Sequence, residues 1–223
     1  FIYRRWNMES NDRNNVMDNL DKIPKTKKGF RMKQKIISAA KSAFSEYGYF
    51  STRTVDITER AGISEGNFYR YFNNKDEVLR IVITDMLTQL YQASRSGDIE
   101  GSIYDKLVGS TKRMLKVYKE NAGIFKVLLQ VVHYDQEFYD LWTNMRTPFV
   151  IRIRKELNKV DLPEHLDKDY AASALGSMVS QFAYIWCVLG GEEMEKEFDF
   201  DEAAKTVASL WYRSIYYRDN RKC

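Results

Sequence analysis

The chain has 223 residues, 44% hydrophobic and 30% charged, with 35 Lys and Arg against 31 Asp and Glu and a formal net charge of +4. That supplies the core of one large or two smaller domains, and 3 prolines with 11 glycines exclude collagen-like and low-complexity chains. Two cysteines (Cys187, Cys223) and two histidines (His133, His165) lack the spacing of a disulfide framework or a zinc site, so no metal and no cofactor are expected.

Residues 22–95 carry 14 basic and 7 acidic side chains, a net of +7, whereas residues 96–223 carry 18 and 20, a net of −2. The positive charge therefore sits in one block, as in a nucleic-acid-facing module joined to a body with another task. No apolar run is read as approaching the roughly 20 residues that cross a bilayer, and the opening FIYRRWN lacks the apolar stretch of a signal peptide. A soluble, cytoplasmic protein without membrane contact is expected.

Residues 1–29 read as a flexible arm: Asn- and Asp-rich at first, then basic from Pro24 through KTKKGFR. From Met32 the apolar positions Ile36, Ala40, Ala43, Phe44 and Tyr47 recur at helical spacing, and Gly48 stops that helix. A short helix fits TVDITERA, closed by Gly62. Ser64 then caps SEGNFYRYF after a turn of a few residues, so two short helices form a helix-turn-helix candidate. Asn74 with Glu77 resembles a capping box and opens a helix striped by Leu79, Val82, Met86 and Leu90, ending near Ser94 to Gly97.

Helices continue beyond: 103–119, an almost uniformly apolar 124–132, 136–157 kinked or ended by Pro148, 169–189 closed by Gly190 and Gly191, and 201–217. No segment shows strand alternation between hairpin turns, so the fold class is all-α. The expected division is an arm at 1–29, a three-helix DNA-binding domain at 30–76, and a helical effector-binding and dimerisation domain at 77–223.

The run from Phe50 to Phe72, with its Ala61-Gly62-Ile63-Ser64 turn, the Tyr69-Arg70-Tyr71-Phe72 ending and Lys75 three residues on, resembles the N-terminal signature of the tetracycline-repressor (TetR) family. The likeness covers roughly residues 30–80. Beside it, the residues have physical roles of their own. Ile57, Ile63, Phe68 and Phe72 supply apolar contacts between the two helices, and Ala61 lets them cross closely. Gly66 costs about 1 kcal/mol relative to Ala inside a helix, so either DNA or a neighbouring helix approaches its backbone. Ser64, Glu65, Asn67, Tyr69, Arg70 and Tyr71 form the surface a recognition helix turns to the major groove. The resemblance implies that Thr52, Thr54, Tyr71 and Lys75 contact phosphate and that Gly66, Asn67, Tyr69 and Arg70 lie nearest the bases. Glu65 departs from the family's usual neutral or basic residue, and Thr58 from a frequent Ala.

A motif of this kind acts in pairs about 34 Å apart on a palindrome, so double-stranded DNA carrying a palindromic operator and a homodimer are the expected partners. Ala172, Gly176, Ser180 and Ala183 form a stripe of small residues that either admits a partner helix or packs within the chain. Val207, Leu210, Trp211 and Ile215 could complete a four-helix dimer bundle.

The body is rich in large apolar and aromatic side chains, most of them core. The resemblance implies a small-molecule pocket among the middle helices, for which Met114, Tyr118, Phe125, Phe138, Trp142, Met145, Phe149, Met178, Gln181 and Phe182 are the candidates. Gln181, Tyr118, His133 and Asn144 are its candidate polar handles. The expected function is a sequence-specific transcriptional regulator, a repressor released from its operator by a small apolar or aromatic effector. The alternatives are a constitutive or partner-regulated DNA-binding protein and, less favoured, a helical enzyme using Cys187, which sits in an apolar helical run that suits an inert thiol better. No catalytic residue is assigned.

Overall fold

A computed structural model describes residues 24–162, 166–191 and 197–216, with the side chain of Met145 excepted. The arm over residues 1–23, His165, Cys223 and the end of the last helix at Tyr217 lie outside the described residues. Those described form nine helices and no strand.

Helix α1 (Lys27–Ser51) starts five residues before Met32, because the Thr26 hydroxyl accepts from the Gly29 amide at 3.1 Å and supplies an N-cap within the basic segment. It buries Ile36, Ala39, Ala40, Ala43 and Phe44 and breaks at Gly48, where φ 75° and ψ 176° suit a residue without Cβ. Helix α2 (Thr54–Ala61) ends on Gly62 in the left-handed conformation. Ser64 caps α3 (Glu65–Tyr69), its hydroxyl accepting from the Asn67 amide at 3.3 Å. Asn74 caps α4 (Lys75–Ala93) through the Glu77 amide, while the Glu77 carboxylate accepts from Asn73.

The body comprises α5 (Ile103–Glu120), α6 (Ala122–Val131), α7 (Gln136–Leu157), α8 (Lys168–Ala183, continued by a π-helical segment Tyr184–Leu189) and α9 (Phe200–Tyr216). Helix α7 remains helical through Pro148 rather than ending there. Helix α6 lies along α1, α9 along α5, and α7 along α8. One buried cluster runs from Ile36 and Phe44 through Leu79 and Met86 to Leu115, Leu128 and Ala204. Hydrophobic contact is therefore continuous across residue 76, with α4 a wall of both halves.

One expectation changes here, and one alternative left open in the sequence is narrowed. The stretch Lys168–Leu189 is 22 residues of continuous helix with mean hydropathy 1.4 over its best window, long and apolar enough by those measures to cross a membrane. Its Ser and Gln residues had masked this in the sequence; its inner side is packed into the helical body. The small-residue stripe is turned inward as well: Ala172 and Ala183 are fully buried, and a Cβ on Gly176 would lie 3.3 Å from Ile153 and 3.4 Å from Phe149. The stripe thus lets α7 approach α8 within the chain. Val207 is likewise core, and Trp211 donates to the Leu175 carbonyl at 3.2 Å, whereas Leu210 remains 57% exposed.

Candidate nucleic-acid interface and helical-body cavity

Helix α3 is held by its buried face. Phe68 and Phe72 are fully enclosed with ring centroids 5.7 Å apart, beside Ile57 and Ala61 of α2. This anchoring turns Ser64, Glu65, Gly66, Tyr69 and Arg70 to the exterior, with Asn67 and Tyr71 half-buried at its margins. Nothing lies within 4 Å of where a Cβ on Gly66 would point. Packing within the chain therefore does not explain that glycine, and its backbone is open to an outside molecule. Tyr69 stands 48% exposed, its ring set edge-on against Phe68.

The basic block sorts into committed and uncommitted cations. Arg60 is tied back to α1 by Glu46 at 2.6 Å and lies over the Tyr47 ring, and Arg53 pairs with Asp56 at 3.2 Å. These contacts hold the Glu46 and Asp56 carboxyls below their usual range, in each case chiefly through the arginine's hydrogen bond. Among the described residues no ion pair engages Lys27, Lys28, Arg31, Lys35 or Arg70, all exposed. Lys35 lies beside the α2–α3 turn, its Nζ 3.8 Å from the position of a Cβ on Gly62. The exposed face of α3 and its basic surroundings have the form by which a helix-turn-helix meets the groove and backbone of a duplex.

Two expected phosphate contacts have other work. Thr52 is fully buried, and its hydroxyl donates to the Gly48 carbonyl at 2.5 Å, which leaves it no exposed surface. Lys75 donates from Nζ to the carbonyls of Tyr49 at 2.9 Å and Thr52 at 2.8 Å, and lies 4.3 Å from the Tyr49 ring centroid. Burial lowers its pKa, and Tyr49 in turn donates to Asp76 at 2.6 Å. Lys75 thus fastens the start of α4 to the end of α1, with two of its three donors occupied. Thr54, at the start of α2, is half-exposed.

A second cluster of contacts ties this domain to the body. The Gln130 side chain of α6 accepts from the Tyr49 amide at 2.9 Å, Lys41 donates to the buried Asn121 at 2.6 Å, and Arg80 of α4 pairs with Glu137 of α7. A Cβ on Gly123 would lie only 2.5 Å from Ser45, so glycine is what lets α6 press onto α1.

The body holds a partly open cavity of about 370 Å³, toward the small end of the roughly 300–1,000 Å³ usual for ligand sites. It gathers Met114, Tyr118, Phe125, Trp142, Phe149 and Gln181 of the expected set. Tyr118 and Phe125 stack in parallel with centroids 4.1 Å apart; burial pushes the Tyr118 hydroxyl up to about 12, against the lowering effect of its hydrogen bond with Ser180. Other expected residues are elsewhere. Phe138 is 1% exposed in the main core, Met178 packs beside Met114, Val179 and Val207, and Phe182 faces a smaller cavity with Trp186. His133 is exposed, and neither it nor the half-buried Asn144 lines the cavity. The sequence reading missed Leu87, Leu90, Tyr91 and Ser94 from α4, Leu128 and Leu129 from α6, and Arg146, Ser180 and Tyr184. The spacing of Leu87, Leu90, Tyr91 and Ser94 along one helical face was the signal that could have found the α4 wall.

Cys187 is buried and its thiol is pushed up to about 11 by burial, an environment that disfavours the thiolate a nucleophile needs.

Residues 36–82 match the sequence profile described as bacterial regulatory proteins, tetR family. Over 167 residues the chain is 26% identical to the HTH-type transcriptional regulator TtgR of Pseudomonas putida, covering 69% of this chain and 79% of that protein. It is 38% identical over 69 residues to the HTH-type transcriptional regulator HbdR of Aromatoleum, covering 31% and 30% of the two chains. The crystal structure of the fatty acid degradation regulator FadR from Bacillus halodurans shares the fold, with a TM-score of 0.65 and 19% identity over 84% of this chain and 97% of that one. Motif geometry, profile and relatives converge: residues 36–82 carry the DNA-binding domain of the tetR family, and the relatives that extend over most of the chain are transcriptional regulators.

Proposed function

We propose that the protein is an effector-gated repressor that binds a palindromic operator as a homodimer through α3 and releases it when a small apolar or aromatic molecule fills the body cavity. One observation carries the reading: the cavity shares its walls with the helices that hold the DNA-binding domain. Leu87, Leu90, Tyr91 and Ser94 line it from α4, whose first residue Lys75 fastens the end of α1. Leu128 and Leu129 line it from α6, directly before Gln130, which holds Tyr49. A ligand that binds one arrangement of α4 and α6 better than another shifts α1 to α3 by its difference in affinity for the two.

Gly66, Asn67, Tyr69 and Arg70 are the proposed base-facing residues, with Ser64, Thr54 and Tyr71 toward phosphate; Glu65 would repel phosphate unless it accepts from a cytosine amine. For the dimer, the outward residues Tyr170 (81% exposed), Ala174 and Leu210 supply the surface of α8 and α9. The test begins with selection of a half-site from random duplexes and a thermal-shift screen for cavity ligands. Release of the selected duplex by ligands that stabilise the body supports the reading. Ligands that bind while DNA affinity stays unchanged would leave a constitutive or partner-regulated DNA-binding protein.

A further inference from the structure

We infer that the cavity ligand is an amphipathic anion, a carboxylate-headed molecule with an apolar body, whose headgroup pairs with Arg146 at the cavity wall. The inference rests on the effector reading above and names the chemistry of its ligand. No Asp or Glu lines the cavity among the described residues, and Arg146 is the charged side chain that does. Arg146 donates to Ser177 at 3.1 Å, a neutral hydroxyl, and its guanidinium carbon lies 6.0 Å from the Trp142 ring centroid. No ion pair engages it among the described residues.

A second cation stands behind the same wall. The guanidinium of Arg152 is half-buried between Tyr91 and Phe149, at 5.2 and 5.6 Å from their ring centroids, and donates to the Ser94 hydroxyl. All three of those residues line the cavity. Burial lowers the pKa of Arg152, and Glu156, the carboxylate whose field reaches it, is itself paired with Lys159 at 2.8 Å. The cavity is thus an apolar recess, open to solvent at Arg146, with unbalanced positive charge on one side. Arg146 is exposed, so solvent screens its charge, yet an unbalanced cation beside an apolar surface still favours a negative headgroup over a positive one. The stacked Tyr118 and Phe125, with Leu128 and Met114, offer the apolar body its surface.

The test measures quenching of tryptophan fluorescence, with Trp142 in the cavity wall as reporter, on titrating the full chain with decanoate, decanol and decylamine. Decanoate is expected to bind about tenfold more tightly than decanol, the scale of one charge-assisted hydrogen bond near solvent, and decylamine more weakly than either. R146Q should remove the advantage of decanoate over decanol, and R146K should restore part of it. Equal or tighter binding of decanol by the wild type, failure of all three to bind, or an undiminished decanoate preference in R146Q would overturn the inference. The effector reading is tested separately, by release of the selected duplex: neutral ligands that bind and release DNA would sustain that reading while refuting the anionic headgroup.

Discussion

Replacing Gly66 with Ala separates a DNA-facing backbone from ordinary helix packing, because the two assign opposite signs to two measurements. Gly66 lies in α3 with helical dihedrals, outside the group of glycines that require positive φ. The added methyl meets no atom of the chain within 4 Å. Folding therefore gains the helix propensity and reduced chain entropy of Ala, about 0.4–1 kcal/mol, toward the lower end because α3 has only 5 residues. If the α3 backbone is pressed against a duplex, the same methyl overpacks that contact at about 1–3 kcal/mol, a loss of affinity of roughly five- to 150-fold. Urea unfolding gives the first quantity and anisotropy titration of a fluorescent selected duplex the second. A Gly66→Ala variant that is more stable yet binds the duplex as tightly as the wild type would refute the assignment of this face to DNA.

Lys75→Ala is expected to cost about 1–2 kcal/mol of stability, since two hydrogen bonds to buried-turn carbonyls are lost, whereas Arg70→Ala should weaken DNA binding with stability within about 0.5 kcal/mol of the wild type; paired urea and anisotropy measurements check both. Gly123→Ala should destabilise by about 1–3 kcal/mol by forcing α6 off Ser45, read as a lower urea midpoint. Cys187, with its thiol near 11, should be about one part in a thousand thiolate at pH 8. Its alkylation, followed by peptide mapping, should be slow in the folded protein and should accelerate as pH rises towards 11 or on unfolding.

Local chemistry made most of the fold legible in the sequence. The caps at Ser64 and Asn74, the stop at Gly48 and the left-handed turn at Gly62 each follow from a few adjacent residues, as do the apolar stripes that follow them. What escaped depends on contacts between distant segments. Thr52 and Lys75 look like surface polar residues until the end of α1 folds back and α4 begins beside it. The stripe of Ala172 and Gly176 suits any close helix, and only the approach of Ile153 and Phe149 shows that the neighbour is α7. The cavity had the same difficulty: large apolar residues mark both core and pocket, so Phe138 and Met114 read alike, both being buried, although only Met114 also lines the wall. Arg146, set between Trp142 and Phe149 on α7, was the charged residue in that segment.

The most direct test of the central claim is a reciprocal titration: the Kd of the selected duplex at saturating cavity ligand, and the Kd of that ligand at saturating duplex. Coupling between the two sites requires both constants to rise by one common factor, expected between about five- and 150-fold. A ligand that binds the cavity with equal affinity in the free and DNA-bound protein would contradict the account.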